Sequence, residues 1–343
     1  MDEAEAIVRE SVVIDMRGMP TLTRRGVEDF KASGITMGNL QGDSEEALLL
    51  RRWYIDHFEE VVLVRSAQDL RDAKAQGRMS VLLSIEHPEL LGRACNDHRP
   101  VLQEHLRTLE HVYGLGVRRI QLAYNRRTMF ADGCTERRDG GLSYYGVELV
   151  ERMNALGILV DCAHVGIQSS LDAIEVSSQP IIFSHTGCRA VFDHPRSKTD
   201  EALQALAEHD GVACIYNLPY FLAADPPSAT VDDFFAQIAH AVDVMGVDHV
   251  GIGTDQGIRD RSRQQSEDAI ILDRATKYQP ARQPAYRYFS NEINLKPPKY
   301  MPAYGHTDYM VCITRDLLGH GFSRADVKKI IGENCLRLLQ ATL

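Results

Sequence analysis

Residues 146–164 read GVELVERMNALGILVDCAH, and this stretch decides the fold. Residues 146–156 are amphipathic, Gly157 follows them, and residues 158–162 are apolar apart from one aspartate. A glycine just after an amphipathic segment is typical of a helix C-cap, where a positive φ is required. A helix that leads through a glycine into a buried strand is the unit of an α/β protein with a parallel sheet.

The same unit recurs along the chain. Apolar, β-branched runs alternate with amphipathic segments such as 102–113 and 232–245, and Gly116 and Gly246 mark two more helix ends. Eight such units favour closure into a (β/α)8 TIM barrel over an open, doubly wound sheet. The predicted strands are residues 12–15, 34–39, 81–86, 119–123, 158–162, 181–184, 212–216 and 250–254.

The length of 343 residues fits one barrel with insertions, so we expect a single domain over residues 1–343. Residues 257–304 break the alternation of strand and helix just after the last strand. We predict that this insertion forms a lid over the barrel mouth or a dimer contact, with a disordered insertion as the alternative. Residues 323–343 are predicted to form C-terminal helices, with Ser323 as an N-cap.

The composition limits the binding partners and the cellular compartment that the protein can have. The formal net charge is −10, and the basic residues are not gathered in a stripe, which argues against nucleic acid or an anionic membrane surface as a partner. Neither a secretory signal nor a stretch long enough to span a membrane is visible, so we expect a cytoplasmic protein. The seven cysteines are an odd number without a CxxC pair, which indicates free thiols in a reducing compartment.

Four polar residues follow predicted strands at the end where barrel enzymes carry their reactive side chains. Glu86, His164, His185 and Asp255 each end a predicted strand or follow one closely. Imidazole and carboxylate together suit zinc or a similar divalent ion, and they also suit acid–base chemistry. We therefore expect a metal or acid–base site at one mouth of the barrel.

An ordered series of motifs adds a family resemblance that extends over most of the chain. The motifs are LSYYG at 142–146, MNALGI at 153–158, VDCAHVG at 160–166, PIIFSH at 180–185, HPR at 194–196, GIGTD at 251–255 and GEN at 332–334. The series resembles the membrane (renal-type) dipeptidase family, peptidase family M19. The resemblance implies a metal-dependent hydrolase of small dipeptides, a small-molecule substrate with a free carboxylate, and a homodimer.

The resemblance also implies roles for individual residues. Glu86 matches the glutamate that bridges two metal ions, and His164 and His185 match the ligands of one of them. Arg196 matches the arginine that grips the substrate carboxylate, a role that suits its planar fork of donors. Asp255 matches the carboxylate that handles the proton during amide cleavage.

The chain departs from this pattern at two places. Arg17 and Met19 stand where typical members have a His-x-Asp pair, and neither is an ordinary zinc ligand, so we expect one zinc ion rather than two, with none as the alternative. Tyr124 stands where members with peptidase activity carry a histidine; its hydroxyl could donate to an oxyanion. The neighbouring Asn125 is a further candidate for substrate binding. These departures resemble a divergent, mostly bacterial branch of the family.

Three hypotheses stay open. In the first, His164, His185 and Glu86 hold one zinc ion, and the protein hydrolyses a dipeptide or a related small amide. In the second, the pocket serves an isomerase, lyase or other hydrolase of a small carboxylated metabolite, with Arg17 and Arg196 binding its anionic groups. In the third, the chain is a catalytically inactive, metabolite-binding relic of a peptidase.

Overall fold

The computed structural model describes residues 2–92, 101–258 and 301–343, and within them parallel strands alternate with helices. The strands are β1 Met19–Pro20, β2 Met37–Gln41, β3 Val61–Leu63, β4 Met79–Ile85, β5 Val117–Gln121, β6 Leu159–Asp161, β7 Ile182–Thr186, β8 Val212–Ile215, β9 Val250–Ile252 and β10 Gly257–Ile258. The α-helices are α1 Glu3–Glu10, α2 Arg24–Ser33, α3 Glu45–His57, α4 Ala67–Ala75, α5 Glu89–Gly92, α6 Val101–Leu115, α7 Tyr144–Leu156, α8 Ile167–Val176, α9 Asp200–Glu208, α10 Val231–Met245, α11 Tyr309–Gly319, α12 Arg324–Lys328 and α13 Asn334–Thr342. Short 3-10 turns lie at Pro219–Phe221, Pro226–Ser228, Val247–His249 and Pro302–Tyr304, and a π-helical turn covers Lys329–Glu333.

The main sheet runs in the order β2-β4-β5-β6-β7-β8-β9, and every neighbouring pair is parallel. Residues 13–16, which we call the closing segment, join its two ends. Ile14 forms a parallel bridge with Met37 of β2, and the Met16 amide donates to the Ile252 carbonyl of β9 at 3.0 Å. The closing segment thus takes the place of the eighth barrel strand, and the TIM-barrel prediction is confirmed.

Two differences from the predicted strands have local causes. β2 begins at Met37 rather than at residue 34, because Gly34 caps α2 with a φ of 75° and the chain turns there before it extends. β3, which pairs with the first half of β4, was missed because a short apolar run between two helices is easily taken for the loop that connects them. The predicted positive φ is present at Gly116, Gly157 and Gly246.

Two buried layers hold the barrel. Side chains inside the sheet, among them Met37, Leu82 and Ile182, pack on Leu338 and Leu339 of α13, which closes the bottom of the barrel. A larger apolar layer fills the space between the strands and the surrounding helices. The helix plug at the amino-terminal end of the strands leaves the opposite mouth as the place where polar side chains gather.

The predicted insertion lies almost entirely outside the described residues; only 257–258 and 301–304 of it are described. Ser323 caps α12, since its hydroxyl accepts from the Asp326 amide at 3.1 Å. Six described cysteines are free, and Cys95 lies outside the described residues. Within the described ranges, no helix combines the length and the apolar composition that crossing a bilayer requires.

Candidate active site at the barrel mouth

The predicted residues meet at the carboxyl ends of the strands. Glu86 follows β4 directly, His164 lies three residues beyond β6, His185 lies near the end of β7, and Asp255 lies three residues beyond β9. Because the strands are parallel, their carboxyl ends share one mouth of the barrel. Glu86, His164 and His185 are buried, whereas the Asp255 side chain keeps 23% of its surface exposed.

The two histidines face each other directly. The Nε2 atoms of His164 and His185 are 2.8 Å apart. Burial, the charge of Arg196 and the mutual repulsion of the two rings hold the pKa of His164 well below its usual 6.5. Burial and the charges of Arg196 and Arg17 do the same to the pKa of His185. Both imidazoles are therefore neutral near pH 7, and each ring carries one N–H.

The hydrogen bonds on the far side of each ring fix where that N–H lies. His164 Nδ1 lies 2.5 Å from the side-chain oxygen of Asn125, an atom that can only accept. Ser184 Oγ donates to Asp161 Oδ2 at 2.6 Å, so it accepts from His185 Nδ1 at 2.9 Å. Both rings thus donate through Nδ1, and their Nε2 lone pairs point at each other.

Two lone pairs at this distance repel each other unless a cation lies between them, and the low pKa values of both rings keep a proton away near neutrality. The histidine pair therefore fits a bound metal ion. His164 and His185 would hold such an ion through their Nε2 atoms, since imidazole nitrogen is a preferred ligand of zinc. A hydrogen-bond acceptor on Nδ1, here Asn125 for His164 and Ser184 for His185, fixes the orientation of such a ligand.

The carboxylate half of the mouth is occupied by Arg17. Its Nη2 donates to Glu86 Oε2 at 2.9 Å, and its Nε lies 2.6 Å from Glu86 Oε1 and 3.4 Å from Asp255 Oδ1. A further Nη2 hydrogen bond of 2.8 Å reaches Gln41. Burial raises the pKa of Glu86 to about 7, although Arg17 and Arg119 both oppose this. In the described part of the chain, no group of three His, Cys, Asp or Glu side chains is arranged to hold a metal ion.

A second arginine lies beneath the mouth. Arg119 is fully buried inside the barrel, where Nη1 donates to the Met16 carbonyl at 2.6 Å. It lies 3.4 Å from Asp161 and 3.7 Å from Glu86. Sequence reasoning missed Arg119 and Asp161 as parts of the site. The available signal was a charged residue at position 119, on the face of an apolar strand that points inward.

Tyr124 and Asn125 lie beside His164. The Tyr124 ring is stacked between the rings of His87 and His164, with centroids 4.0 Å away on either side. Burial and the charge of Glu86 raise the pKa of the Tyr124 hydroxyl far above its usual value, so it remains an O–H donor. Asn125 has a φ of 64°, and this left-handed turn brings its amide onto His164 rather than into open space.

Arg196 is fully buried and ties the two histidine strands together. Its Nη1 donates to the Ala163 carbonyl, and its Nη2 donates to the His185 carbonyl at 3.0 Å. The guanidinium also lies 5.7 Å from the Phe221 ring centroid. Its Nε has no hydrogen-bond partner among the described residues, which leaves one buried donor for a ligand.

Comparisons with known proteins show the family to which the chain belongs. The profile of the family described as membrane dipeptidase (peptidase family M19) matches residues 30–270. A dipeptidase of Claviceps purpurea is 27% identical over 260 residues, which are 73% of this chain and 58% of that protein. An uncharacterised dipeptidase of Schizosaccharomyces pombe is 38% identical over 150 residues, 43% of this chain and 37% of that protein. The chain thus spans less than two thirds of the length of these curated relatives.

Solved structures with the same fold align with nearly the full length of the chain. An amidohydrolase of Pseudomonas aeruginosa superposes with a TM-score of 0.81 at 27% identity, covering 99% of this chain and 98% of that one. A metallopeptidase of Rhodobacter sphaeroides, solved with a phosphinate mimic of L-Ala-D-Ala, superposes with a TM-score of 0.69 at 18% identity and supports the fold alone; the match covers 100% of this chain and 97% of that one.

Proposed function

Since the chain belongs to the membrane dipeptidase family, peptidase family M19, we propose that it is a metal-dependent hydrolase of a dipeptide or a related small amide with a free carboxylate. The observation that carries this proposal is the pair of histidine Nε2 atoms, 2.8 Å apart, both with their lone pairs directed inward. Two imidazole nitrogens with lone pairs directed at each other suit a cation between them, and imidazole is a preferred zinc ligand.

His164 and His185 would hold the ion, and Glu86 stays a predicted third ligand through the lone pairs that Arg17 leaves free. We propose zinc, and one ion rather than two. A bound zinc ion supplies Lewis-acid chemistry, since it makes water more acidic and polarises an amide carbonyl. The protein's own contribution is to fix both rings by the Asn125 and Ser184 hydrogen bonds.

Asp255 would transfer the proton. Its backbone has a φ of 55°, and its side chain is partly exposed at the barrel mouth. A non-glycine residue in this conformation is typical of functional positions, because the surrounding fold must impose it. Its carboxylate takes a proton from the attacking water and passes it to the leaving nitrogen. Arg17, 3.4 Å away, steadies this carboxylate.

Substrate orientation falls to Arg196 and Tyr124. The unpartnered Nε of Arg196 is a buried donor that would bind one oxygen of the substrate carboxylate. The Tyr124 O–H would donate to the amide oxygen as negative charge develops on it, and the two stacked imidazoles hold the phenol ring in place.

The test is a panel of dipeptides assayed before and after chelation and after zinc is restored. We expect hydrolysis that is lost with the metal and regained with it. His185→Gln should abolish both zinc binding and turnover, whereas His209→Gln should change neither, because His209 is exposed and bonds only within its own helix. Full activity in metal-free protein would contradict the proposal.

A second candidate is a non-hydrolytic reaction, isomerisation or elimination, on a small carboxylated metabolite. One observation favours it: Arg17 lies in the mouth, and its Nη1 has no hydrogen-bond partner among the described residues, so it could bind a substrate anion. Reaction in water enriched in oxygen-18 distinguishes the two. Hydrolysis places the label in the product carboxylate, whereas isomerisation leaves the product unlabelled.

We further propose that the protein is a cytoplasmic homodimer without a nucleic-acid or membrane partner. The net charge of −10 supports the absence of polyanionic partners. The dimer rests on the family resemblance alone. Light scattering after size exclusion should give twice the 38.4 kDa chain mass, and a monomer would contradict the dimer without affecting the site.

A further inference from the structure

The turn that carries Arg17 is held rigidly. The Asp15 carboxylate accepts from the Arg17 amide at 3.1 Å and from the Thr254 amide at 3.0 Å, and it also accepts the Tyr309 hydroxyl at 2.7 Å. These bonds connect the closing segment to the loop after β9 and to α11. Arg17 therefore enters the mouth from a fixed position, and its 6% exposure leaves the guanidinium little freedom.

The guanidinium lies where three side-chain acceptors converge. Glu86, Asp255 and Gln41 all lie within 3.4 Å of its nitrogens, and both oxygens of Glu86 are engaged. A second metal ion held between Glu86 and Asp255 would have to displace Arg17, because the guanidinium occupies the space between these two carboxylates. We propose that Arg17 is a built-in cation that permanently replaces a metal ion on the carboxylate half of the site, so the centre takes one divalent ion.

Arg17 supplies a positive charge in place of a metal ion, so the carboxylates of this half of the site keep a cationic partner. If no cation stood at position 17, the nearest positive charge to the buried Glu86 among the described residues would be Arg119, at 3.7 Å. Unpaired buried carboxylates are costly, and a fixed guanidinium, which stays charged at every pH at which proteins work, lowers that cost. Chelators can therefore strip the histidine half of the site but not the positive charge on the carboxylate half.

The inference deepens the proposed function and is tested separately from catalysis. Full-length protein is stripped, dialysed against zinc and measured for zinc per chain by mass spectrometry. We expect one ion in the wild type and in Met19→Asp alone. The double variant Arg17→His/Met19→Asp, which removes the guanidinium and supplies two ordinary zinc ligands, should bind two.

The number of zinc ions bound per wild-type chain tests the inference even if the double variant fails to fold. Two ions per wild-type chain would overturn the inference and leave the hydrolase proposal intact. No bound ion at any zinc concentration would overturn both. A folded double variant that still binds one ion would show that Arg17 does not exclude the second, and this too would overturn the inference.

Discussion

Replacing Arg17 by methionine in metal-free protein should cost stability in a way that depends on pH. The substitution keeps much of the side-chain volume but removes the cation from Glu86, which is 1% exposed. Glu86 has a pKa of about 7 in the fold, raised from its usual 4.5 by burial. Without Arg17 at 2.6 and 2.9 Å, that pKa must rise further, because the buried charge loses its nearest partner.

The sign and size follow from proton linkage. A carboxyl whose pKa is raised by folding stabilises the protein fully below its unfolded value, and this stabilisation is lost as the pH rises through the folded value. In the variant, the pKa of Glu86 in the folded state is higher than in the wild type. Below pH 7 Glu86 is therefore protonated in both proteins and contributes little to the difference in their free energies of unfolding. Above pH 7 the cost of Arg17→Met should grow by about 1.4 kcal/mol per pH unit, to roughly 3 kcal/mol at pH 9.

Urea unfolding followed by far-ultraviolet circular dichroism at pH 6, 7.5 and 9 measures this cost. Arg324→Met is the matched control: Arg324 pairs with Glu3 and Glu10 at the surface, and we expect a small cost that is the same at all three pH values. In a Glu86→Gln background the pH dependence should vanish. A cost of Arg17→Met that is the same at all three pH values, or that persists in that background, would refute the reasoning.

Three more outcomes follow from the site. Asn125→Leu should weaken zinc binding by about 10- to 100-fold, measured in competition with a chromophoric chelator. Asn125→Asp, which keeps a hydrogen-bond acceptor for His164, should bind zinc about as tightly as the wild type. Equal zinc affinities of the two variants would contradict this prediction. Burial and the charge of Arg196 lower the pKa of His194 to about 4, so between pH 6.5 and 4 the unfolded state binds more protons than the folded state. The free energy of unfolding should therefore fall by about 3 kcal/mol over this range because of His194. His194→Gln should reduce this loss of stability in urea titrations, and an unchanged dependence of stability on pH would contradict the prediction. Asp255→Asn should lower kcat by about 10²- to 10⁴-fold with zinc content unchanged; loss of the metal would show that Asp255 is a ligand instead.

The fold could be predicted because burial imposes a pattern on every barrel strand. Seven of the eight predicted runs overlap strands of the main sheet, and the first run, 12–15, overlaps the closing segment, which hydrogen-bonds to both edge strands. β3 escaped because Val61–Leu63 pairs with only half of β4 and carries no periodicity of its own. Its existence depends on a neighbour in space, which a local pattern does not reveal.

The site was predictable only in part, for a related reason. Strand ends point to a shared mouth, so Glu86, His164, His185 and Asp255 could be placed together from topology alone. Arg17 and Glu86 are 69 positions apart, and their contact depends on the hydrogen bonds of Asp15 that hold the turn carrying Arg17. The sequence therefore showed that a metal ligand is missing at position 17 but not that Arg17 pairs with Glu86. Asn125 was predicted to contact substrate, and its hydrogen bond to His164 became visible only once its left-handed turn was known.

The presence of one ion on the two histidines is tested most directly by anomalous diffraction at the zinc edge from crystals grown with zinc. We expect a single peak about 2.0–2.1 Å from the Nε2 atoms of His164 and His185, with Arg17 still paired to Glu86. Crystals of active protein without a peak there, or with a second peak on Glu86 and Arg17 displaced, would contradict a mononuclear centre built on this histidine pair.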